Sequence, residues 1–170
     1  GNDQLGNNPL EDATLHVSFA TLMANDVNAS SITAVGNATH GSVAIIGGEV
    51  VFTPSQNYHG PASFVYQVVS TDGNFALGQA DFDISGVNDV PVVLGETASA
   101  NEDVALVLSQ ATLLANDSDV DVATDGQTLR VSAVGNASHG TVSILGNGSV
   151  QFIADANFHG TASFKYVVSD

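Results

Sequence analysis

Asn157-Phe-His-Gly-Thr-Ala-Ser-Phe-Lys-Tyr-Val-Val-Ser-Asp170 closes the chain, and nearly the same run stands about 100 residues earlier as Asn57-Tyr-His-Gly-Pro-Ala-Ser-Phe-Val-Tyr-Gln-Val-Val-Ser70. Working outward, Val35-Gly-Asn-Ala-Thr-His-Gly-Ser-Val43 returns as Val134-Gly-Asn-Ala-Ser-His-Gly-Thr-Val142. A repeat of this period sets the domain size and makes two tandem copies the organising fact. Within each copy apolar residues fall two apart: Val43 and Ile45, Val50 and Phe52, then Phe64, Tyr66 and Val68, answered by Val142 and Ile144, Val150 and Phe152, then Phe164, Tyr166 and Val168. That is the period of a strand with one buried face. Turn chemistry separates the runs, at His40-Gly41, Gly47-Gly48 and His59-Gly60 and at their later counterparts. Short strands at this spacing predict an all-β protein of two tandem β-sandwich domains, residues 1–87 and 88–170.

Two short pieces depart from the strand pattern. Ala20-Thr-Leu-Met-Ala24 and Ala111-Thr-Leu-Leu-Ala115 each predict a turn or two of helix at the end of a strand. Gly86-Val-Asn-Asp-Val-Pro91 reads as the linker, stiffened by proline. Ala80 to Ile84 is the expected closing strand of the first copy, whose opening strand is short or missing because only a stub precedes Glu11. The second copy has an expected opening strand at about Pro91 to Ala98 and reaches Asp170 before any closing strand. An open sheet edge is the expected consequence, with local instability or strand addition from another chain.

Composition narrows the partners. The 170 residues are 44% hydrophobic, enough for a core in each copy, and carry 2 Lys and Arg against 18 Asp and Glu, a net charge of -16. Such a surface excludes nucleic acid and disfavours an anionic membrane. There is no cysteine, which removes disulfides, thiolate nucleophiles and Cys-type zinc sites. No apolar run is long enough to span a membrane, and the first residues lack the pattern of a signal peptide. Asn-X-Ser/Thr triplets begin at Asn28, Asn37, Asn116, Asn136 and Asn147 and read as chance in so Asn- and Ser-rich a chain.

The densest acidic stretch is Asp117-Ser-Asp-Val-Asp-Val-Ala-Thr-Asp125. A carboxylate pair about 4 Å apart costs roughly 4 kcal/mol at an effective dielectric of 20, so a folded loop that gathers four of them calls for a cation. Alternating Asp side chains and carbonyls suit the 6 to 8 oxygens of Ca2+ better than the strict octahedron of Mg2+. The EF-hand loop is excluded, since Val122 and Thr128 occupy its glycine and terminal glutamate positions. A solvated acidic loop is the alternative. Its company favours the metal: Asn88-Asp89 in the linker, Glu102-Asp103 before the second strand, and Asp170 after an alternating strand.

Taken in order, Val-Asn-Asp-x-Pro, Asn-Glu-Asp, Leu-Leu-Ala-Asn-Asp-x-Asp-x-Asp, His-Gly-x-Val and Asn-Phe-His-Gly-x-x-Ser-Phe-x-Tyr resemble the bacterial cadherin-like tandem repeats of large secreted, RTX-type surface adhesins. The resemblance covers nearly the whole chain. It implies Ig-like or cadherin-like Greek-key β-sandwiches joined end to end with Ca2+ at the junction, held by Glu11, Asp12, Asn88, Asp89, Asp117, Asp119, Asp121 and Asp170. It places Glu102 and Asp103 toward a following repeat, and Asp26 and Asp72 toward a preceding one. The first copy is about eight residues shorter at its acidic loop and keeps only Asp26 of the series, so weak calcium binding is expected at that end.

The remaining candidates are structural. His40, His139, His59 and His159 each precede glycine in a turn and read as turn or packing residues. Tyr66 and Tyr166 lie within apolar alternation and read as core residues with a tethered hydroxyl. No Gly-x-Ser-x-Gly elbow and no phosphate-cradling glycine motif occurs, so no catalytic function is expected. The expected function is a calcium-stiffened spacer in an extracellular adhesin, with the neighbouring repeats as partners and a cell-surface or polysaccharide ligand possible. A carbohydrate-binding sandwich or an accessory region of a secreted hydrolase are the alternatives; the aromatic content of 6% counts against a sugar-stacking platform.

Overall fold

The computed structural model describes residues 2–6 and 8–170 and divides into two compact units, Gly1–Val87 and Asn88–Asp170. In the first, β1 (Asn2–Gln4), β2 (Leu15–Ser18), α1 (Phe19–Leu22), β3 (Ala29–Thr39), β4 (Gly41–Ile46), β5 (Glu49–Pro54), β6 (Gly60–Ser70) and β7 (Phe75–Ile84) follow in order. They form a four-stranded sheet β1-β7-β6-β3 and a three-stranded sheet β2-β5-β4. Only β1 runs parallel to its neighbour. The chain crosses between sheets after β1, after β2, after β3 and after β5, which is Greek-key connectivity in an all-β sandwich.

Alternation on β6 carries the core. Ala62, Phe64, Tyr66 and Val68 point inward and are buried together with Phe52 from β5 and Ala80 and Phe82 from β7. Phe82 meets Phe52 edge-on at 4.9 Å between ring centroids, a preferred aromatic geometry. The stub before Glu11 is a genuine strand, short because it forms only three ladder pairs with β7, Asn2 to Gln79 through Gln4 to Asp81.

The second unit contains β8 (Leu106–Leu108), α2 (Gln110–Leu113), α3 (Asp121–Thr124), β9 (Arg130–Ser138), β10 (Gly140–Ile144), β11 (Val150–Ala154) and β12 (Ser163–Ser169). Its sheets are β10-β11-β8 and β12-β9. The opening strand expected at about Pro91 to Ala98 does not form: this stretch has a single bridge, Val92 to Ser118. The reason is pairing. In the first unit the opening strand takes its ladder from β7, and the second unit has no strand in that place among the described residues. Its core is correspondingly smaller, with Leu113, Val131 and Val150 buried and Phe164 and Tyr166 only partly so.

The two helical hints are single turns after β2 and β8. Each begins at a serine whose side chain accepts the N–H three residues on, Ser18 from Thr21 and Ser109 from Thr112, both at 3.1 Å. This is N-capping, and it ties an otherwise unsatisfied donor. Leu22 and Leu113, the buried residues of these turns, anchor them to the two cores.

Candidate metal centre

The repeated motifs resolve into backbone geometry. Asn37, His40, Asn57 and their counterparts Asn136, His139 and Asn157 all have φ between 48° and 58°, the left-handed region that asparagine tolerates best after glycine. Asn37 and Asn136 lie where the register of β3 on β6 and of β9 on β12 slips. His40 stacks on Tyr58 with ring centroids 3.9 Å apart, and His139 stacks on Phe158 at 4.3 Å. These two histidines are turn and packing residues. Gly41 and Gly140 are required by the rings beneath them, for a Cβ there would lie 2.4 Å from the Phe52 ring and 2.5 Å from the Phe152 ring.

Both tyrosine hydroxyls are tethered, and to acids that sequence reading missed. Tyr66 donates to Asp3 Oδ2 at 2.5 Å and lies 3.1 Å from the Leu22 carbonyl. Asp3, itself buried, also accepts from Asn25 Nδ2. Tyr166 lies 2.5 Å from Glu96 Oε2 and 3.2 Å from the carbonyls of Leu94 and Leu113. Burial first, then the hydrogen bond to the carboxylate, pushes both phenols well above their ordinary value of 10.0. The available signal was an acid in the opening segment of each copy, with no motif to single it out.

Three aspartates of the acidic loop follow one pattern, in which one oxygen fixes backbone. Asp117 Oδ1 accepts the Leu94 N–H at 2.8 Å, Asp119 Oδ1 accepts the Asp121 N–H at 2.9 Å, and Asp121 Oδ2 accepts the Asp89 N–H at 2.7 Å. The Asp119 bond is an Asx-turn, which accounts for a short polar residue two before α3. The Val92 to Ser118 bridge, with N–H···O distances of 2.8 and 3.0 Å, ties the segment after Asp89 to this loop. Asn88, though exposed, accepts from Gln127 Nε2 at 2.8 Å.

The second oxygens are the informative ones. Asp117 Oδ2, Asp119 Oδ2 and Asp170 Oδ2 are buried and have no hydrogen-bond partner. Asp121 is 1% exposed, and carboxylate oxygens of Asp89 and Asp121 lie within 4.8 Å of each other, a repulsion on the order of 3 kcal/mol at an effective dielectric of 20. Buried anionic oxygens without donors are costly unless a cation completes them. Neither basic side chain of the chain does so. Arg130 turns to Ser169 Oγ at 3.2 Å, and Lys165 is exposed on β12. The donor set is all oxygen, the set that a hard divalent cation takes.

Other expected ligands are placed differently. Glu11, in the first unit, is 3% exposed and accepts the Val87 N–H at 2.7 Å, while Asp12 beside it is exposed. Glu102 and Asp103 are both exposed, and Asp103 accepts the Asn157 N–H at 3.2 Å. Their counterparts, Glu11 and Asp12, follow Leu10, which bridges Ser85 just past β7. Asp72 is exposed in the turn between β6 and β7, and Asp26 is half-buried, near enough to Tyr66 to help raise its pKa.

Fold and acidic loop together define a tandem β-sandwich protein with an oxygen-rich acidic cluster in its second repeat. A family model described as the cadherin-like domain matches twice, over residues 2–85 and 87–170, and the chain belongs to that family. Cadherin-like domains are structural and adhesive modules, typically extracellular, usually calcium-binding and typically non-catalytic. No curated protein gives a significant match. Among solved structures the chain is similar to "Endo-fucoidan hydrolase MfFcnA9 from glycoside hydrolase family 107", at 15% identity and a TM-score of 0.23, over 81% of this chain and 26% of that one. The chain thus spans about a quarter of that hydrolase, and the score carries no inference about activity. No helix among the described residues is long and apolar enough to cross a membrane.

Proposed function

We propose that this chain is a calcium-stiffened spacer of a large extracellular bacterial adhesin, its two repeats and their neighbours forming part of a stalk for cell adhesion or biofilm formation. The observation that carries the reading is the set of buried carboxylate oxygens without partners on Asp117, Asp119 and Asp170, in a chain with 18 acidic and 2 basic residues. Ca2+ would be held by these three with Asp89 and Asp121, and Glu11 and Asn88 would complete the shell. Each end of Val87-Asn88-Asp89 is already gripped by an acid of its own unit, Glu11 on the Val87 N–H and Asp121 on the Asp89 N–H. Neutralising those acids would hold the linker; leaving them charged and unpaired would loosen it.

The test is a calcium titration with melts in calcium and in EDTA, on the parent and on Asp117→Asn with Asp119→Asn. Asparagine keeps the Oδ1 acceptors for Leu94 and Asp121 while removing the buried charges. At calcium one hundred times the dissociation constant the parent gains about 2.7 kcal/mol, or roughly 10 °C or more in a domain of this size. The variant loses most of that gain and melts in EDTA no lower than the parent, because it no longer buries unpartnered anions. Equal melting of the parent in calcium and EDTA rejects the proposal.

A further inference from the structure

We propose that two copies of this chain pair edge to edge through β4 of the first unit, antiparallel about a two-fold axis at Ala44, joining their β2-β5-β4 sheets into one continuous sheet. The inference does not involve calcium and uses no residue of the acidic loop. Charge points to the side that meets. In the first unit β1 and β2 line one cleft, and β3 and β4, joined through His40 alone, lie at the other ends of the two sheets. The first side carries Asp3 on β1 and Asp81 and Asp83 on β7. From Val27 to Gly48, the stretch that holds β3 and β4, there is no Asp, Glu, Lys or Arg. Copies of net charge -16 repel one another over most of their surface, and this side lets two backbones approach without bringing carboxylates together. Glu49, next along the chain, turns to His16 Nδ1 on β2 at 3.1 Å, away from β4.

Of the two strands on that side, β4 has the unblunted edge. β3 slips register three times along β6, and irregularities of that kind turn an edge away from pairing. β4 keeps an unbroken register on β5, from Gly41 opposite Pro54 to Ile46 opposite Glu49, and no strand among the described residues takes its other edge. Half of its backbone N–H and C=O groups therefore face outward from the ladder. The devices that keep sheet edges apart are charge, proline and bulges, and β4, Gly-Ser-Val-Ala-Ile-Ile, has none of them. It also presents apolar surface, with Ile46 59% and Ile45 38% exposed.

Alternation fixes the register and makes a second copy the fitting occupant. A continuous sheet keeps the core faces of both copies on one side, so inward residues pair with inward ones and outward with outward. Val43 packs against the core, and Ala44 beside it is exposed. With Ala44 opposite Ala44 of the other copy, Val43 meets Ile45 on the inner face and Ser42 meets Ile46 on the outer one. Each exposed isoleucine is then covered, and the small residue at the axis lets the strands close. The isologous contact is self-complementary, as a two-fold pair requires. In the second unit β10 is also an unbroken, uncharged edge, but it is shorter and ends at Ile144, 38% exposed. One strand pair buries little area, so the association belongs to the weak, transient class.

The test is sedimentation of the whole chain over a concentration series in EDTA, with hydrogen exchange resolved by residue on the same samples. The chain should shift from monomer toward dimer on concentration, more readily at moderate salt than at low salt because the shared negative charge is screened. The amides of β4 should gain protection as the dimer forms. Ala44→Lys, at an exposed position, should weaken the association about tenfold by setting like charges opposite one another at the axis. Because lysine lowers the net negative charge, association governed by overall repulsion would strengthen instead. Ile144→Lys on β10 should leave the dimer unchanged. A chain that stays monomeric at every concentration and salt, an Ala44→Lys variant that associates as well as the parent, or loss of the dimer in Ile144→Lys overturns the proposal.

Discussion

A buried tyrosine hydroxyl with one proton and several acceptors is a small feature that orders a whole end of the sandwich. Tyr66 links β6 to Asp3 of β1 and to Leu22 at the end of α1, and Tyr166 links β12 to Glu96 and to Leu113 of α2. The folded-state pKa of each phenol is raised, so the neutral form is what folding stabilises. That contribution is fully present below pH 10, the value for the free phenol, and is lost as pH rises above it toward the folded value. A stability profile against pH should therefore fall on the alkaline side. Tyr66→Phe should remove much of that slope and cost about 1–3 kcal/mol at neutral pH, because it strands the Asp3 carboxylate. An unchanged alkaline slope in the variant would assign it elsewhere. The recurring asparagines, histidines and glycines have equally local reasons: left-handed backbone at Asn37, His40 and Asn57, and ring contact at Gly41.

At the scale of elements, one strand accounts for most of the difference between the copies. β7 pairs along nearly all of β6 and on its other side holds β1 in parallel. Where no such strand stands, β12 is shorter, residues 94–96 make no ladder, and Phe164 and Tyr166 keep partial exposure. The capped turns α1 and α2 are equivalent in the two units, and this makes them a probe of local stability. Ser18→Ala and Ser109→Ala should each cost about 1 kcal/mol. The Ser109 change should lower protection of the amides in α2, β8 and β9 while leaving β2 and β5 unaffected, and hydrogen exchange resolved by residue would detect any departure. α3 has no counterpart among the described residues of the first unit. It sits within the eight extra residues of the acidic loop and brings Asp121 inside, which alternation alone did not indicate.

For the molecule as a whole, charge dominates. A net charge of -16 in 170 residues opposes compaction unless counterions collect, and the unpartnered oxygens of Asp117, Asp119 and Asp170 mark where a counterion would have the largest effect. Under the proposed function, small-angle scattering should report a narrower range of interdomain arrangements with calcium than with EDTA. Asp117→Asn with Asp119→Asn should abolish the difference, and identical parent profiles in the two conditions would leave the linker without a calcium switch. The sequence by itself determined the two copies, the all-β class, the strands at Phe64 to Val68 and Phe164 to Val168, the helical turns and the acids worth watching. It could do so because strand alternation, glycine turns and repetition are local or periodic signals. The tertiary structure alone decided which carboxylate oxygens are spent on backbone amides and which are buried without a partner. It also decided that Asp3 and Glu96 tether the tyrosines, and that Pro91 to Ala98 forms no strand. Those outcomes depend on neighbours far apart in the chain: a carboxylate is a ligand, a tether or a solvated charge according to what folds against it, and a strand exists only where another offers its edge.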